Sequence, residues 1–398
     1  MDMIKSIRFF NFFSFASQTI KFEELNVLVG INGSGKSNLI KAMQLLRAVI
    51  TDGEISELII NRWGGLEAVH YLGDEKQDFK VELEFEFDPA VLSKYGYQFQ
   101  KPVFYCIVFH KMASSQNYYI SESFHTKEDG SVDYIYMEMN RGKGFVRNIL
   151  SNNQESVAYE LDNASESVLC QLVDKDHYYQ IYTLREAIKD IVIYDGFDTN
   201  SVSSMRKPVP PGVSNRLLSG GSNLPLVLNS IKLNDKNSYM AIIDALNAVN
   251  PNFKGFDFNF LGSSIELLLD EKGLNKSVHV THVSDGTLRY LCLLAIIFNN
   301  RRGKLICIDE PEIGLHPDMI GELMQAILQT TNATQYVIST HSDHILNQLS
   351  VENIIVFEKD DDNKTFVKDF RDNEFVEWAS QYSAGSLWRN GNLGGNRY

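Results

Sequence analysis

The residues best equipped for chemistry lie in the segment VLVGINGSGKSNLI, Val27 to Ile40. Gly30, Gly35, Lys36 and Ser37 fit the phosphate-binding pattern G-x-x-x-x-G-K-[ST], with an apolar run before it and an apolar-periodic run after it. The first run reads as a buried strand and the second as a helix that begins near Lys36. Glycines allow the backbone to curl so that several N–H groups point inward, and the helix adds the positive end of its dipole. A polyphosphate is the natural occupant of such a turn. Gly30, Asn32, Gly33, Ser34, Gly35, Lys36, Ser37 and Asn38 form its expected lining. In that role Lys36 reaches the β- and γ-phosphates and the Ser37 hydroxyl binds magnesium.

A second cluster lies in LICIDEPE, Leu305 to Glu312. Leu, Ile, Cys and Ile cannot hold ions, so the carboxylates emerge at the carboxyl end of a buried strand, where open α/β sheets bind ligands. Asp309 is the expected magnesium-side carboxylate, and Glu310 the general base or water-orienting group. Two further pieces are ambiguous as residues alone. In VSDGTLRYLCLL, Ser284 stands where a helix N-cap belongs, and in YVISTHSDHIL, His341 follows a strand directly.

The elements that must position these residues alternate in type. Strand-like residues from Ile4 to Ile20 lead into LNVLVG, giving two strands before the phosphate loop. After a helical stretch the period changes to two: in VELEFEFD, Val81, Leu83, Phe85 and Phe87 alternate with acids, and three more strand-like runs follow. This is an antiparallel lobe inserted in an α/β protein. A Pro-, Gly- and Ser-rich loop precedes helical patterning from Leu226 to Val249, and strand–helix alternation then resumes, implying a parallel sheet with helices on both faces.

The net charge of −14 argues against a surface coated with nucleic-acid-binding positive charge. Arg206 with Lys207, and Arg301, Arg302 and Lys304, form short basic clusters that read as solvated surface or as a local basic face. The four cysteines show no C-x-x-C and no histidines at ligand spacing, and read as reduced core residues. No apolar run is long enough for a membrane span and the N-terminus lacks a signal-peptide pattern, so the expected location is cytoplasmic.

Taken in order, the phosphate loop, VSDGT, the aspartate–glutamate strand, EIGLHP and His341 resemble an ABC-type ATPase of the SMC/RecF/OLD kind. ESVLCQLVDKDHYYQIYTLREAIKDIVIY and SGGSNLPLVLNSI look like the small standalone RecF-like predicted AAA-family ATPases of bacteria. The resemblance implies an ATPase head of mixed and parallel sheet flanked by helices plus the β lobe. The expected segments are residues 1–72 with the phosphate loop, 73–160 as the β lobe, and 161–398 as the remainder with a helical segment. It implies ATP and magnesium as ligands, Gln171 as the Q-loop residue that contacts magnesium and the attacking water, and His341 as the switch histidine. Spacing alone does not choose Gln171 over Gln180. It also implies an ATP-dependent, head-to-tail homodimer in which Ser284 and Gly286 bind the γ-phosphate held by the partner. Double-stranded DNA, or a separately encoded nuclease or Toprim-type effector, is the implied target, with no membrane partner. A nucleotide-sensing module with negligible turnover and a transporter ATPase subunit are the alternatives. Asp285 and Thr287 depart from the transporter pattern, and a carboxylate at position 285 near phosphates is repulsive unless turned away.

Overall fold

The computed structural model describes residues 2–73, 79–112, 117–148, 156–371, 379 and 382–395. These fall into two compact units, Met1–Val192 with Ile355–Asp369, and Ile193–Ile354 with the described part of Phe370–Asn396.

The first unit opens with the hairpin β1 (Ile4–Phe12) and β2 (Phe15–Lys21), followed by β3 (Leu25–Val29) and α1 (Lys36–Ala48). Three strands therefore precede the phosphate loop, not two. The extra turn was unreadable because Asn11 and Phe13, with φ of 53° and 50°, make it without glycine or proline. The short α2 (Glu54–Ser56) runs into a π-helical turn, and α3 (Leu66–Val69) follows. Next come β4 (Lys80–Phe87), α4 (Pro89–Leu92), β5 (Val103–Lys111), β6 (Tyr118–Glu128), β7 (Ser131–Asn140), β8 (Lys143–Arg147) and β9 (Ser156–Glu160). They join the first hairpin in one eight-stranded sheet of order β2-β1-β4-β5-β6-β7-β8-β9, antiparallel throughout. The strands expected as a lobe over 73–160 thus extend the sheet begun at the N-terminus; residues 74–78, 113–116 and 149–155 of that range lie outside the described residues. On β4, Val81, Leu83, Phe85 and Phe87 are fully buried, each worth about 1.5–3 kcal/mol of transfer energy. After α5 (Val168–Gln171) and α6 (Tyr179–Lys189), β10 (Ile191–Tyr194) crosses the division between the units.

In the second unit, α7 (Leu224–Asn234) and α8 (Lys236–Val249) precede β11 (Phe253–Leu261), β12 (Ser264–Glu271) and β13 (Val278–His279). These three strands form an antiparallel sheet that the sequence reading missed. Then follow α9 (Asp285–Ile297), β14 (Leu305–Asp309), α10 (Pro317–Leu328), β15 (Gln335–Ser339) and α11 (Asp343–Leu346). β14 and β15 pair in parallel, with Asp309 opposite Ser339. The chain returns to the first unit with β16 (Ile354–Lys359) and β17 (Thr365–Asp369), an antiparallel pair whose β16 lies beside β3.

One expectation about charge fails. Arg206 is 5% exposed, so it belongs neither to a solvated surface nor to a basic docking face. Arg302 and Lys304 are half-buried, donating to Thr334 Oγ1 and to the Ala333 carbonyl. All four cysteines are free thiols: Cys292 and Cys307 are buried, Cys106 and Cys170 only partly so.

Candidate functional site

The phosphate loop is built from backbone. β3 is buried along its whole length, and the chain leaves it through Gly30 at φ 152°. A Cβ at Gly30 would lie 2.4 Å from the Phe357 carbonyl oxygen, and one at Gly35 would lie 2.5 Å from Thr365 Oγ1. Gly35, at φ 116°, is the N-cap of α1. Only glycine satisfies both the conformation and the space at this position. Lys36 is 6% exposed and donates from Nζ to the carbonyls of Gly30 (2.7 Å) and Ile31 (3.2 Å). Asn32, Gly33 and Ser37 are exposed, whereas Asn38 uses its amide to donate to Ser14 Oγ at 2.8 Å. Ser34 Oγ is buried without a partner, inside a turn whose following helix leaves its first N–H groups without intrahelical acceptors. A glycine cradle, an orphan hydroxyl and a sequestered ammonium fit an anionic polyphosphate.

Gln171 ends α5 and is exposed; Gln180, on α6, is 3% exposed. Of the two glutamines that spacing could not separate, only Gln171 offers its amide to solvent. A buried acid fixes the helix: Glu122, on β6, accepts from Val168 N (2.5 Å), Ser167 Oγ (2.7 Å) and Tyr105 OH (2.8 Å). Burial pushes the Glu122 carboxyl above its ordinary range despite these bonds. Nearby, Asp52, Glu166 and Cys170 gather their side-chain ligand atoms within 4.8 Å, and burial lifts the Cys170 thiol to about 12, so it carries its proton at neutral pH.

In the second unit the functional groups are side chains. Asp309 ends β14 and accepts from Ser339 Oγ. Glu310 follows with φ 46°, a left-handed conformation that costs an L-residue about 1–2 kcal/mol. It persists because the Glu310 N–H donates to the Ser339 carbonyl (3.1 Å) and hydroxyl (3.2 Å). The twist turns the carboxylate out of the strand, leaving Oε1 3.5 Å from His341 Nε2, with both side chains about one-third exposed. Glu312 completes the cluster, its Oε1 accepting from His341 N (2.8 Å) and Thr340 Oγ1 (2.7 Å), with its carboxyl raised mainly by burial. The sequence groups Glu312 with Asp309 and Glu310 in LICIDEPE without giving it a role of its own.

Ser284 is the N-cap of α9, accepting from Thr287 N at 3.1 Å and exposed at the surface. Gly286 packs against EIGLHP: a Cβ there would lie 2.7 Å from the Gly314 carbonyl. Arg289 holds the same turn, donating to the Ile313 carbonyl at 2.7 Å. Asp285 is turned away from the cap by Arg206, whose Nη2 meets its Oδ1 at 2.5 Å while the other nitrogens donate to carbonyls of Thr199, Asn200, Val280 and Val283. The charge of Asp285 is thus paired within its own unit.

In the first unit the exposed Ser37 hydroxyl and Gln171 amide, and in the second unit the Asp309 carboxylate, each present a hard oxygen of the type magnesium selects.

The fold is the head fold of SMC proteins. Solved structures that share it include an Smc head bound to the C-winged helix domain of ScpA (TM-score 0.58, 11% identity, 92% of this chain and 98% of that one), and a Pyrococcus furiosus Smc head with an extended coiled coil bound to the C-terminal domain of ScpA (TM-score 0.56, 10% identity, 96% and 100%). Residues 25–347 match the family described as "AAA domain, putative AbiEii toxin, Type IV TA system", and the chain belongs to that family. No curated protein matches the chain.

Proposed function

We propose that the chain binds ATP with magnesium and hydrolyses it as an ATP-dependent head-to-tail homodimer, and that this cycle acts on DNA or on a separately encoded nuclease or Toprim-type effector in the bacterial cytoplasm. Genome maintenance or anti-phage defence is the setting. The observation that carries the reading is the geometry at Glu310: a carboxylate held out of its strand by a costly backbone conformation and placed against His341.

In the chemistry proposed, Lys36 leaves the Gly30 and Ile31 carbonyls and binds the β- and γ-phosphates, where its charge also offsets the charge that develops during transfer. Glu310 accepts the proton of a water that attacks the γ-phosphorus; the bond to the bridging oxygen breaks, releasing ADP and phosphate. His341 steadies the γ-phosphate in its own subunit, and Ser284 and Gly286 approach the one held by the partner. Bound magnesium supplies charge neutralisation at the phosphate oxygens. Membership of a family described as a putative AbiEii toxin of a type IV TA system supports a second gene product as the target.

The test is ATP hydrolysis with and without double-stranded DNA, beside a mixing experiment. Lys36→Ala and Ser284→Arg should each be inactive alone, and an equal mixture of the two should regain roughly a quarter of all sites, by random pairing in a twofold dimer. Normal hydrolysis by Ser284→Arg on its own would reduce Ser284 to a helix cap. Among the described residues no helix is long and apolar enough to cross a membrane.

A further inference from the structure

The phosphate loop is held from outside by a chain of hydrogen bonds that the sequence pattern does not contain. Asn38, in the first turn of α1, donates from Nδ2 to Ser14 Oγ at 2.8 Å. Ser14 Oγ lies 2.6 Å from Thr365 Oγ1, and Thr365 Oγ1 lies 2.7 Å from the Ser34 carbonyl oxygen. A carbonyl only accepts, so the single Thr365 proton goes to Ser34, and the Ser14 proton must then go to Thr365. The direction of the whole chain is fixed: Asn38 amide to Ser14 hydroxyl to Thr365 hydroxyl to Ser34 carbonyl.

Its last link has a consequence for the ligand. In a trans peptide the N–H points opposite to the C=O. With the Ser34 carbonyl drawn to Thr365, the Gly35 N–H is turned away from β17. Thr365 is 3% exposed and its backbone N–H donates to the Ser14 carbonyl at 2.8 Å, so its backbone is fixed beside the β1–β2 turn. The β1–β2 turn that carries Ser14 is itself clamped to α1, with Lys41 Nζ 3.9 Å from the centre of the Phe13 ring.

We propose that Thr365, supported by Ser14, is a positioning residue for nucleotide: it sets the peptide between Ser34 and Gly35 so that the loop's N–H groups converge on phosphate. This rests on the reading of the loop as an ATP site. A loop already oriented before binding loses less freedom on taking up phosphate, so the effect falls on affinity and not on the hydrolytic step.

The experiment measures ATP and ADP affinity by calorimetry on the full chain, with thermal unfolding to verify folding. Thr365→Val keeps the shape and removes the hydroxyl; it should weaken both nucleotides roughly tenfold, the scale of one neutral hydrogen bond lost at a buried acceptor. KM for ATP should rise to match while kcat stays within about twofold. Thr365→Ser should restore affinity to near the parent value, and Ser14→Ala should fall between the two. If Thr365→Val does not fold, Thr365→Ala and Ser14→Ala give the same reading. A folded Thr365→Val that binds as the parent does, or a Thr365→Ser as weak as Thr365→Val, overturns the inference while leaving the ATP site standing. A parent protein that binds neither nucleotide overturns the ATP reading and this inference together.

Discussion

In the phosphate loop the candidate groups are backbone N–H groups and one lysine parked on backbone carbonyls, while at the end of β14 they are Asp309, bonded to Ser339, and Glu310, set 3.5 Å from the His341 imidazole. The first arrangement is buried, glycine-shaped and braced from behind. The second is partly exposed and stores strain at Glu310. On the proposed function the contrast separates two tasks: backbone donors would hold charge that is present throughout, whereas side chains with protons to exchange would serve charge that develops during reaction. Yet each region anchors its accessory side chain in the same way. Glu122 ties down the helix that ends at Gln171, and Glu312 ties down the backbone of His341.

Four substitutions sharpen or break this contrast. Glu310→Gln should leave ATP affinity intact and cut turnover by roughly 10²–10⁴-fold, the usual worth of a general base. Turnover within threefold of the parent would remove Glu310 from that role. Lys36→Ala should show the opposite split, weakening ATP by roughly 10- to 100-fold through loss of charge-assisted bonds. Calorimetry that found unchanged affinity would count against the loop as a phosphate site. Glu310→Gly should abolish turnover yet raise stability by about 0.5–1 kcal/mol, because glycine adopts the left-handed conformation freely; a lowered unfolding midpoint would mean the conformation carries no strain.

The smallest effect is a pH dependence. The folded Glu122 carboxyl titrates above its ordinary 4.5, so it binds its proton more tightly folded than unfolded. Its contribution to stability is therefore fully present below about pH 4.5 and is lost as pH rises through the folded value, with a slope no steeper than about 1.4 kcal/mol per pH unit. Glu122→Gln lacks this component. The stability difference, parent minus variant, should decline as pH rises over that window in urea titrations; a difference that grows with pH would show that the carboxylate is favoured in the fold.

What was legible in the sequence tracks what depends on few residues. The loop from Gly30 to Ser37 could be read because its glycines are demanded by backbone shape, and Asp309 and Glu310 because an apolar strand cannot hide acids. Pairing across long separations was not readable. Thr365 lies far along the chain from Ser14, and nothing local marks it. The sheet of β11–β13 escaped because the pairing slips between Phe253 and Gly255, leaving Gly255 and Phe256 both buried and breaking the two-residue period. Arg206, in a stretch dense with proline, glycine and serine, looked like surface charge. Only the fold supplies the four carbonyls and the carboxylate that make its burial tolerable.

That arginine also sets how the protein breathes. The stretch around Ser203–Lys207 has one short 3-10 turn of its own, and the Arg206 guanidinium ties it to residues 280–285 at the start of α9. Loop and helix start cannot open separately without stranding a buried cation. In hydrogen–deuterium exchange the amides near Ser203–Arg206 should therefore exchange in step with those at Val283–Thr287, as one cooperative unit; Arg206→Met should split them into two populations with different protection.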